Sequence, residues 1–206
     1  MKLWTIQTLA AYEKFKDMGT LRADETFIYE DMVFHYKWIV DQMKKRIGSP
    51  PSKELKYPIW SWYQWSGTSK KKPDLRNSSH LPKGTSGVRI ELEVDPKDIL
   101  LADFLDFNGV LNYGYITETE VEYDNFYKEL ESYGFCHADL QGTVETSSIL
   151  DQFKTKLYRS WERIFDTEGI IVDESWSGKK EDQSIQATLW EVKWEQVISC
   201  KKFVSR

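Results

Sequence analysis

Val88-Arg89-Ile90-Glu91-Leu92-Glu93-Val94 alternates apolar and charged residues over its whole length. Successive side chains of a β-strand point to opposite faces of the sheet, so this stretch predicts a strand with one buried and one solvent-exposed face. Near the start of the chain, residues 3–7 read Leu-Trp-Thr-Ile-Gln, and the alternation of Trp4 and Ile6 with the polar Thr5 and Gln7 predicts a second strand with one buried face. Two strands of this kind favour a sheet that has at least one covered face.

Helical patterns lie between and after these strands. Thr8 is a predicted N-cap and Gly19 a predicted C-cap of the first helix. Further helices are predicted at residues 30–46, 117–133 and 147–165, and further strands at residues 57–65, 185–194 and 202–204. Because the elements do not alternate regularly, we expect an α+β fold: a single compact domain over residues 1–206, with a mixed or antiparallel sheet flanked by helices.

Composition limits the function classes. The chain has 206 residues, 40% hydrophobic and 30% charged, with a net charge of -5, which predicts an ordered globular protein. The sequence shows neither a signal peptide nor an apolar run long enough to span a bilayer. Cys136 and Cys200 form no disulfide framework and no Cys/His metal cluster. We therefore expect a cytoplasmic protein that needs no metal and no membrane, while the oligomeric state stays open.

An aromatic strand precedes a long basic loop. Trp60, Trp62 and Trp65 are too close together for all of them to be buried, so one face of their strand is expected to border a cleft. Residues 66–86 then form a long loop that carries Lys70-Lys71-Lys72 and Arg76. Stacking rings beside phosphate-binding cations predict a surface for a nucleotide or single-stranded nucleic acid. The alternative is an ordinary solvated charged loop.

Common catalytic signatures are missing from the sequence. It has no glycine-rich dinucleotide fingerprint, phosphate loop, nucleophile elbow or zinc-binding His-Glu-x-x-His motif. The three histidines are far apart, which favours structural roles. Glu91 and Glu93 share a strand face. They are either a carboxylate pair for acid/base chemistry or ordinary residues of the solvent-exposed face.

Several segments, spread over nearly the whole chain, are similar to one family. The chain resembles the bacterial and phage proteins grouped as domain-of-unknown-function family 3841, for which no activity is assigned. The segments that carry the resemblance are Leu3-Trp4-Thr5-Ile6-Gln7, Gly19-Thr20-Leu21, Trp60-x-Trp62-Tyr63, Pro73-Asp74-Leu75-Arg76, the stretch from Val88 to Leu101, Ser160-Trp161-x-x-Ile164-Phe165-Asp166 and Gln186-Ala187-Thr188-x-Trp190.

The two ends of the chain also look like those of NAD-dependent ADP-ribosyltransferases. The opening strand and helix resemble the start of that family, and Gln186-Ala187-Thr188 resembles its closing Gln-Ala-Glu strand. The resemblance implies that the first strand contacts nicotinamide, an aromatic strand stacks on the ring, and a late glutamate stabilises the oxocarbenium ion. It implies that NAD is held by Thr5, Gln7, Trp62, Tyr63 and Arg76.

The catalytic glutamate of that family has no direct counterpart here. Thr188 occupies its place and cannot supply a negative charge, and Glu191 has the opposite parity on a regular strand. Either the carboxylate comes from elsewhere, or the alignment is shifted, or the fold is retained without the reaction. By fold analogy, the candidate catalytic residues are Gln186, Thr188 and Glu191.

Three functions are open at this point. The first is an ADP-ribosyltransferase that uses NAD to modify nucleic acid or protein. The second is a non-catalytic module that binds a nucleotide or single-stranded nucleic acid. The third is a protein-interaction component in phage–host conflict, with an exposed aromatic patch facing a protein partner.

Overall fold

The computed structural model describes residues 1–144 and 148–206. The strands are β1 (Lys2–Thr8), β2 (Thr20–Leu21), β3 (Ile59–Gln64), β4 (Ser86–Glu93), β5 (Leu100–Asp103), β6 (Ile185–Leu189), β7 (Val192–Lys193) and β8 (Val197–Val204). The α-helices are α1 (Leu9–Met18), α2 (Val33–Ile47), α3 (Phe104–Leu111), α4 (Glu120–Ser132), α5 (Ile149–Ser160) and the short α6 (Glu174–Ser177).

The chain forms two compact units. The larger unit comprises Met1–Leu101 and Ile185–Arg206, and the smaller unit comprises Ala102–Ser184. The predicted α+β class, with an antiparallel sheet and flanking helices, is confirmed. The assignment of residues 1–206 to one domain stays a prediction.

A six-stranded sheet with the order β5-β6-β3-β1-β4-β8 organises the larger unit. Strand β1 lies between β3 and β4 and is antiparallel to both. Leu3 lies opposite Leu92, and the buried Ile90 and Val88 continue the same face. Because residues directly opposite each other in an antiparallel pair project to the same side, these residues form one continuous core face of the sheet.

Helix α1 covers the core face through Phe15, which is fully buried. Its ends follow the prediction. The Thr8 hydroxyl accepts the Ala11 N–H at 3.2 Å, and Gly19 adopts a φ of 72°, which lets its N–H reach the Phe15 carbonyl at 2.8 Å. Both caps satisfy backbone groups that a helix leaves open at its ends.

Helix α2 packs against the opposite, outer face of the sheet. The Tyr36 ring lies 6.4 Å from Trp60, in an edge-to-face arrangement. Ile39 and Met43 lie one helical turn apart on the same side of α2 and are fully buried. Burial of each such side chain contributes about 1.5–3 kcal/mol to folding.

The largest differences in bounds concern three predicted elements. The expected strand over residues 185–194 is two strands, because the chain breaks pairing after Leu189. The terminal strand is eight residues long rather than three. The helix expected over residues 147–165 is α5 followed by a 3-10 helix over Trp161–Phe165, and residue 147 lies outside the described residues. Strand β5 was not predicted.

The smaller unit packs α3, α4 and α5 around aromatic side chains. The rings of Tyr115 and Phe126 are stacked at 3.8 Å, and Phe126 meets Phe153 edge to face at 5.6 Å. Trp161 is fully buried, and its indole N–H donates to the Gly114 carbonyl at 2.9 Å. A buried indole needs such an acceptor, so this bond fixes the position of the ring. Among the helices of residues 1–144 and 148–206, none is long and apolar enough to cross a bilayer.

Candidate functional site

A cavity of about 720 Å³ opens on the larger unit where the 66–86 loop lies over the sheet. We call it the basic cleft. Its lining consists of Trp4, Trp65, residues 68–76, Arg89 and Lys201. Cavities of this size are typical of ligand sites in proteins.

The floor of the basic cleft comes from the outer face of the sheet. Arg89 in β4 lies opposite Ile6 in β1 and opposite Lys201 in β8. Trp4 shares this face, since it lies two residues before Ile6. Three strands therefore bring two cations and an indole together from the two ends and the middle of the chain.

Two contacts hold the loop over this floor. The Arg89 guanidinium donates to the Pro73 carbonyl at 2.6 Å. Burial lowers the pKa of Arg89, although the nearby carboxylates of Glu91 and Asp74 oppose this effect. The second contact joins Lys72 Nζ to Glu91 Oε2 at 3.5 Å. Both contacts position the basic loop by using charged groups of β4.

Glu91 is an internal anion of this region. It accepts from Lys2 Nζ at 3.0 Å and from the Trp4 indole N–H at 3.1 Å. Burial raises the pKa of Glu91, but the hydrogen bonds from Lys2 and Trp4 outweigh it, so the pKa lies below its ordinary value. Glu91 is therefore a charged anchor, and the outward-facing Glu93 instead contacts the amino terminus at 2.9 Å.

Six basic side chains and one carboxylate line the basic cleft. The carboxylate belongs to Asp74, and the forked hydrogen bond from Arg76 holds its pKa well below the ordinary range. Lys71 lies over the Tyr63 ring at 5.1 Å. Within the described part of the chain, Lys70 and Lys201 have no ion-pair partner, so they are available to an anionic ligand.

A family model described as "Domain of unknown function (DUF3841)" matches residues 2–198. The chain belongs to this family. No curated protein and no solved structure matches the chain significantly. Membership of the DUF3841 family confirms the resemblance carried by the quoted segments, and it carries no activity with it. The likeness to ADP-ribosyltransferases stays a prediction.

Within this DUF3841 fold, two residues predicted to hold NAD are placed on the core face. Thr5 is buried opposite Ile90, and its hydroxyl donates to the Trp60 carbonyl at 3.0 Å. The Gln7 amide donates to the Thr5 hydroxyl at 2.9 Å. These polar groups satisfy one another inside the unit. Tyr63 also packs against the hydrophobic core.

The other predicted strand residues lie on the outer face. Trp62 lies opposite Trp4 in β1 and opposite Gln186 in β6. Thr188 is completely buried, and its hydroxyl donates to the Leu100 carbonyl at 3.3 Å. Strand parity therefore separates Thr5 and Gln7 from Trp62, Gln186 and Thr188. Of the residues predicted to hold NAD, Arg76 is the one that lines the basic cleft.

Glu191 lies in the break between β6 and β7, so the argument from strand parity does not apply to it. Its carboxylate contacts the Arg22 guanidinium at 3.3 Å. Arg22 directly follows β2, and β2 pairs with β7. The ion pair therefore links the segment between β6 and β7 to the end of β2. The contact gives Glu191 a structural role at this corner of the larger unit.

Sequence reasoning missed Trp4, Arg89 and Lys201 as cleft residues. The alternation in β4 correctly placed Arg89 on the solvent-facing side of its strand, and this alternation is the sequence signal for its position in the cleft. The register that brings Lys201 beside it joins residues 112 positions apart in the chain, and no local pattern reveals such a pairing.

Proposed function

We propose that the basic cleft binds single-stranded nucleic acid. The observation that carries this proposal is the lining itself: six cations and the half-buried Trp65 surround one cavity of about 720 Å³. The single lining carboxylate is already paired with Arg76. Positive charge that tracks a phosphate backbone, combined with a ring for base stacking, is the usual design of a single-strand binding groove.

An unpaired strand fits the cleft better than a duplex. Trp65 can stack only on a base whose face is open, and each such stack contributes about 1–3 kcal/mol in single-strand binding proteins. The chain carries a net charge of -5, so its surface outside the cleft repels the long phosphate backbones of a duplex. Favourable contacts are therefore concentrated at the cleft.

Fluorescence anisotropy with a labelled deoxythymidine oligonucleotide tests the proposal. We expect saturable binding by the single strand and weaker binding by a duplex of equal length. Because bound cations release counterions from the strand, the logarithm of the affinity should fall linearly with the logarithm of the salt concentration, with a slope of about -0.7 per phosphate contact. Absence of single-strand binding at low salt would refute the proposal.

Alanine substitutions locate the binding site. Simultaneous Lys70→Ala, Lys71→Ala and Lys201→Ala substitutions should reduce the salt slope by about two, since up to three phosphate contacts are lost. The matched control replaces Lys14, Lys16 and Lys53, which are exposed lysines of the same unit outside the cleft lining. The control changes net charge equally and should leave the slope unchanged. Equal losses in both variants would show a diffuse charge effect.

NAD-dependent transfer is the alternative function. Calorimetric titration with NAD, followed by incubation with labelled NAD and nucleic acid or protein acceptors, tests it directly. The position of Thr5 and Gln7 on the core face supports the binding proposal over the transferase. If NAD binds and label is transferred, with both activities lost on Gln186→Ala, the transferase is the correct function.

A further inference from the structure

The smaller unit contains its own cavity, of about 290 Å³. The N-terminal turn of α3, residues 116–118 and the segment that surrounds α6 enclose it. We call it the acidic cavity. Its lining consists of Asp103, Leu105, Asp106, Ile116, Thr117, Glu118, Arg163, Asp166, residues 169–172, residues 176–179, Asp182 and Gln183.

Carboxylates outnumber cations in this lining by five to two. One of the two cations, Arg163, is already committed, since its guanidinium contacts Glu122 at 2.8 Å and the Ile116 carbonyl at 3.2 Å. Lys179 is the other. The cavity therefore carries an excess of negative charge in a partly enclosed space, where electrostatic interactions are stronger than in water.

Asp106 is a half-buried carboxylate of this lining that the surrounding protein leaves uncompensated. Asp103 uses its Oδ1 to cap α3 by accepting the Leu105 and Asp106 N–H groups at 2.8 and 3.0 Å. Among the described residues, no hydrogen bond or ion pair reaches the Asp106 side chain. Burial, and then the charge of Asp103, raises the pKa of Asp106 to about 6.

Large apolar side chains surround the same cavity and face solvent. Ile170 is 93% exposed, Leu105 68% and Val172 63%, and Trp176 is also exposed. A single exposed apolar residue is ordinary, whereas a group of them around one cavity marks an interaction surface. Within residues 1–144 and 148–206, no cluster of His, Cys, Asp and Glu side chains is arranged to hold a metal ion.

We propose that the acidic cavity and its apolar rim dock a protein partner through an inserted arginine or lysine side chain that is flanked by apolar residues. A basic side chain matches the cavity along its length, because its charged head pairs with Asp106 while its aliphatic stem passes the apolar rim. Trp176 lines the same cavity, and an aromatic ring near a cation adds further attraction. Charge complementarity selects this occupant over an acidic or purely apolar segment.

Selection from a library of short random peptides on the immobilised full-length chain tests this docking site. We expect enriched peptides to carry arginine or lysine between apolar residues. Enriched peptides without a basic residue, or no enrichment at all, would overturn the proposal. Agmatine carries the guanidinium without a peptide, and equal affinities for agmatine and for the selected peptides would show a small-cation site instead.

Two variants with matched controls complete the test. Asp106→Asn should weaken a selected peptide by about tenfold or more, since its cation loses the paired charge. Asp124→Asn, an exposed α4 residue outside the cavity, should change the affinity by less than about twofold. Ile170→Ser should weaken binding, while Ile198→Ser in the larger unit should not. Equal effects within either pair would refute the docking site, whatever the result for oligonucleotides.

Discussion

The basic cleft and the acidic cavity differ in how their charges are compensated. In the cleft, Glu91 holds Lys72, and Arg76 is paired with Asp74. In the cavity, Asp103 caps a helix, whereas the Asp106 carboxylate has no hydrogen bond or ion pair within the described residues. A compensated charge fixes local structure, and an uncompensated charge is available to a ligand. Glu91 and Asp103 therefore hold local structure in their regions, whereas Asp106 is available to bind a ligand.

The opposite signs of the two regions are hidden in the composition. A net charge of -5 describes a mildly acidic protein and indicates neither an anion-binding nor a cation-binding surface. The larger unit concentrates cations in one loop and on two strands, and the smaller unit concentrates carboxylates around one helix start. Local charge, rather than the total, decides which ligands each unit attracts.

Reversing the sign of the cleft should have the largest effect. Lys70→Glu combined with Lys201→Glu should lower the affinity for the single-stranded oligonucleotide by about 100-fold at low salt, because two attractive contacts become repulsive. Anisotropy titrations measure the change. Lys14→Glu with Lys53→Glu is the control, and a comparable loss in the control would mean that the cleft has no special role.

Removing the uncompensated charge of the cavity should stabilise the protein. The pKa of Asp106 is about 4 in the unfolded chain and is raised to about 6 in the folded protein, so the contribution of this group to the free energy of unfolding falls as the pH rises between these values. Asp106→Asn should lack this loss and be more stable than wild type by about 2 kcal/mol at neutral pH, with little difference near pH 4.

Urea unfolding at several pH values measures this difference. Asp124→Asn is the control, since Asp124 forms an exposed ion pair with Lys128 at 2.8 Å. The control should stay within about 0.5 kcal/mol of wild type at every pH. A stability profile for Asp106→Asn that parallels the wild type would show that Asp106 is not the group that titrates.

Neutralising the anchor of the cleft should move stability and affinity in opposite directions. Glu91→Gln weakens the bonds from Lys2, Lys72 and Trp4, which should cost about 1 kcal/mol of stability. The released lysines should raise oligonucleotide affinity by about threefold, since an internal competitor for phosphate is gone. A fall in affinity would show instead that Glu91 orders the site for its ligand.

The smallest effect is expected for the exposed pair in the loop. Asp74→Asn preserves the side-chain oxygen that accepts the Arg76 backbone N–H and removes the charge that holds its guanidinium. Oligonucleotide affinity should rise by no more than about twofold, because exposed ion pairs are weak. An increase of tenfold would show that Asp74 blocks the cleft.

Local signals in the sequence predicted much of the larger unit. The alternation in β4 and the caps at Thr8 and Gly19 depend on neighbouring residues, so their signals are strong. Strand β5 has four residues, and its pairing with β6 joins distant parts of the chain, so no local pattern identified it. Edge strand β8 carries polar residues on both faces and lacks the usual alternation.

The site was predictable where it depended on composition and unpredictable where it depended on register. The basic loop was identified from its lysines, and it lines the cleft together with Trp65, whereas Trp60 and Trp62 of the aromatic strand do not. Thr5 and Trp62 were predicted to line one pocket. Trp4 lies opposite Trp62 in the strand register, so Trp62 and Thr5 lie on opposite faces of the sheet. Asp106 was missed because its sequence neighbours show a helix start, while its burial depends on segments far along the chain.

Strands β5 and β6 are neighbours in the sheet, although residues 104–184 separate them along the chain. The Phe104 N–H donates to the Ser184 carbonyl at 2.9 Å, so the segment between the two strands begins and ends at one hydrogen bond. Residues 105–183 are thus a segment whose two ends meet at the edge of the sheet, so a change in its length need not alter the pairing of β5 with β6.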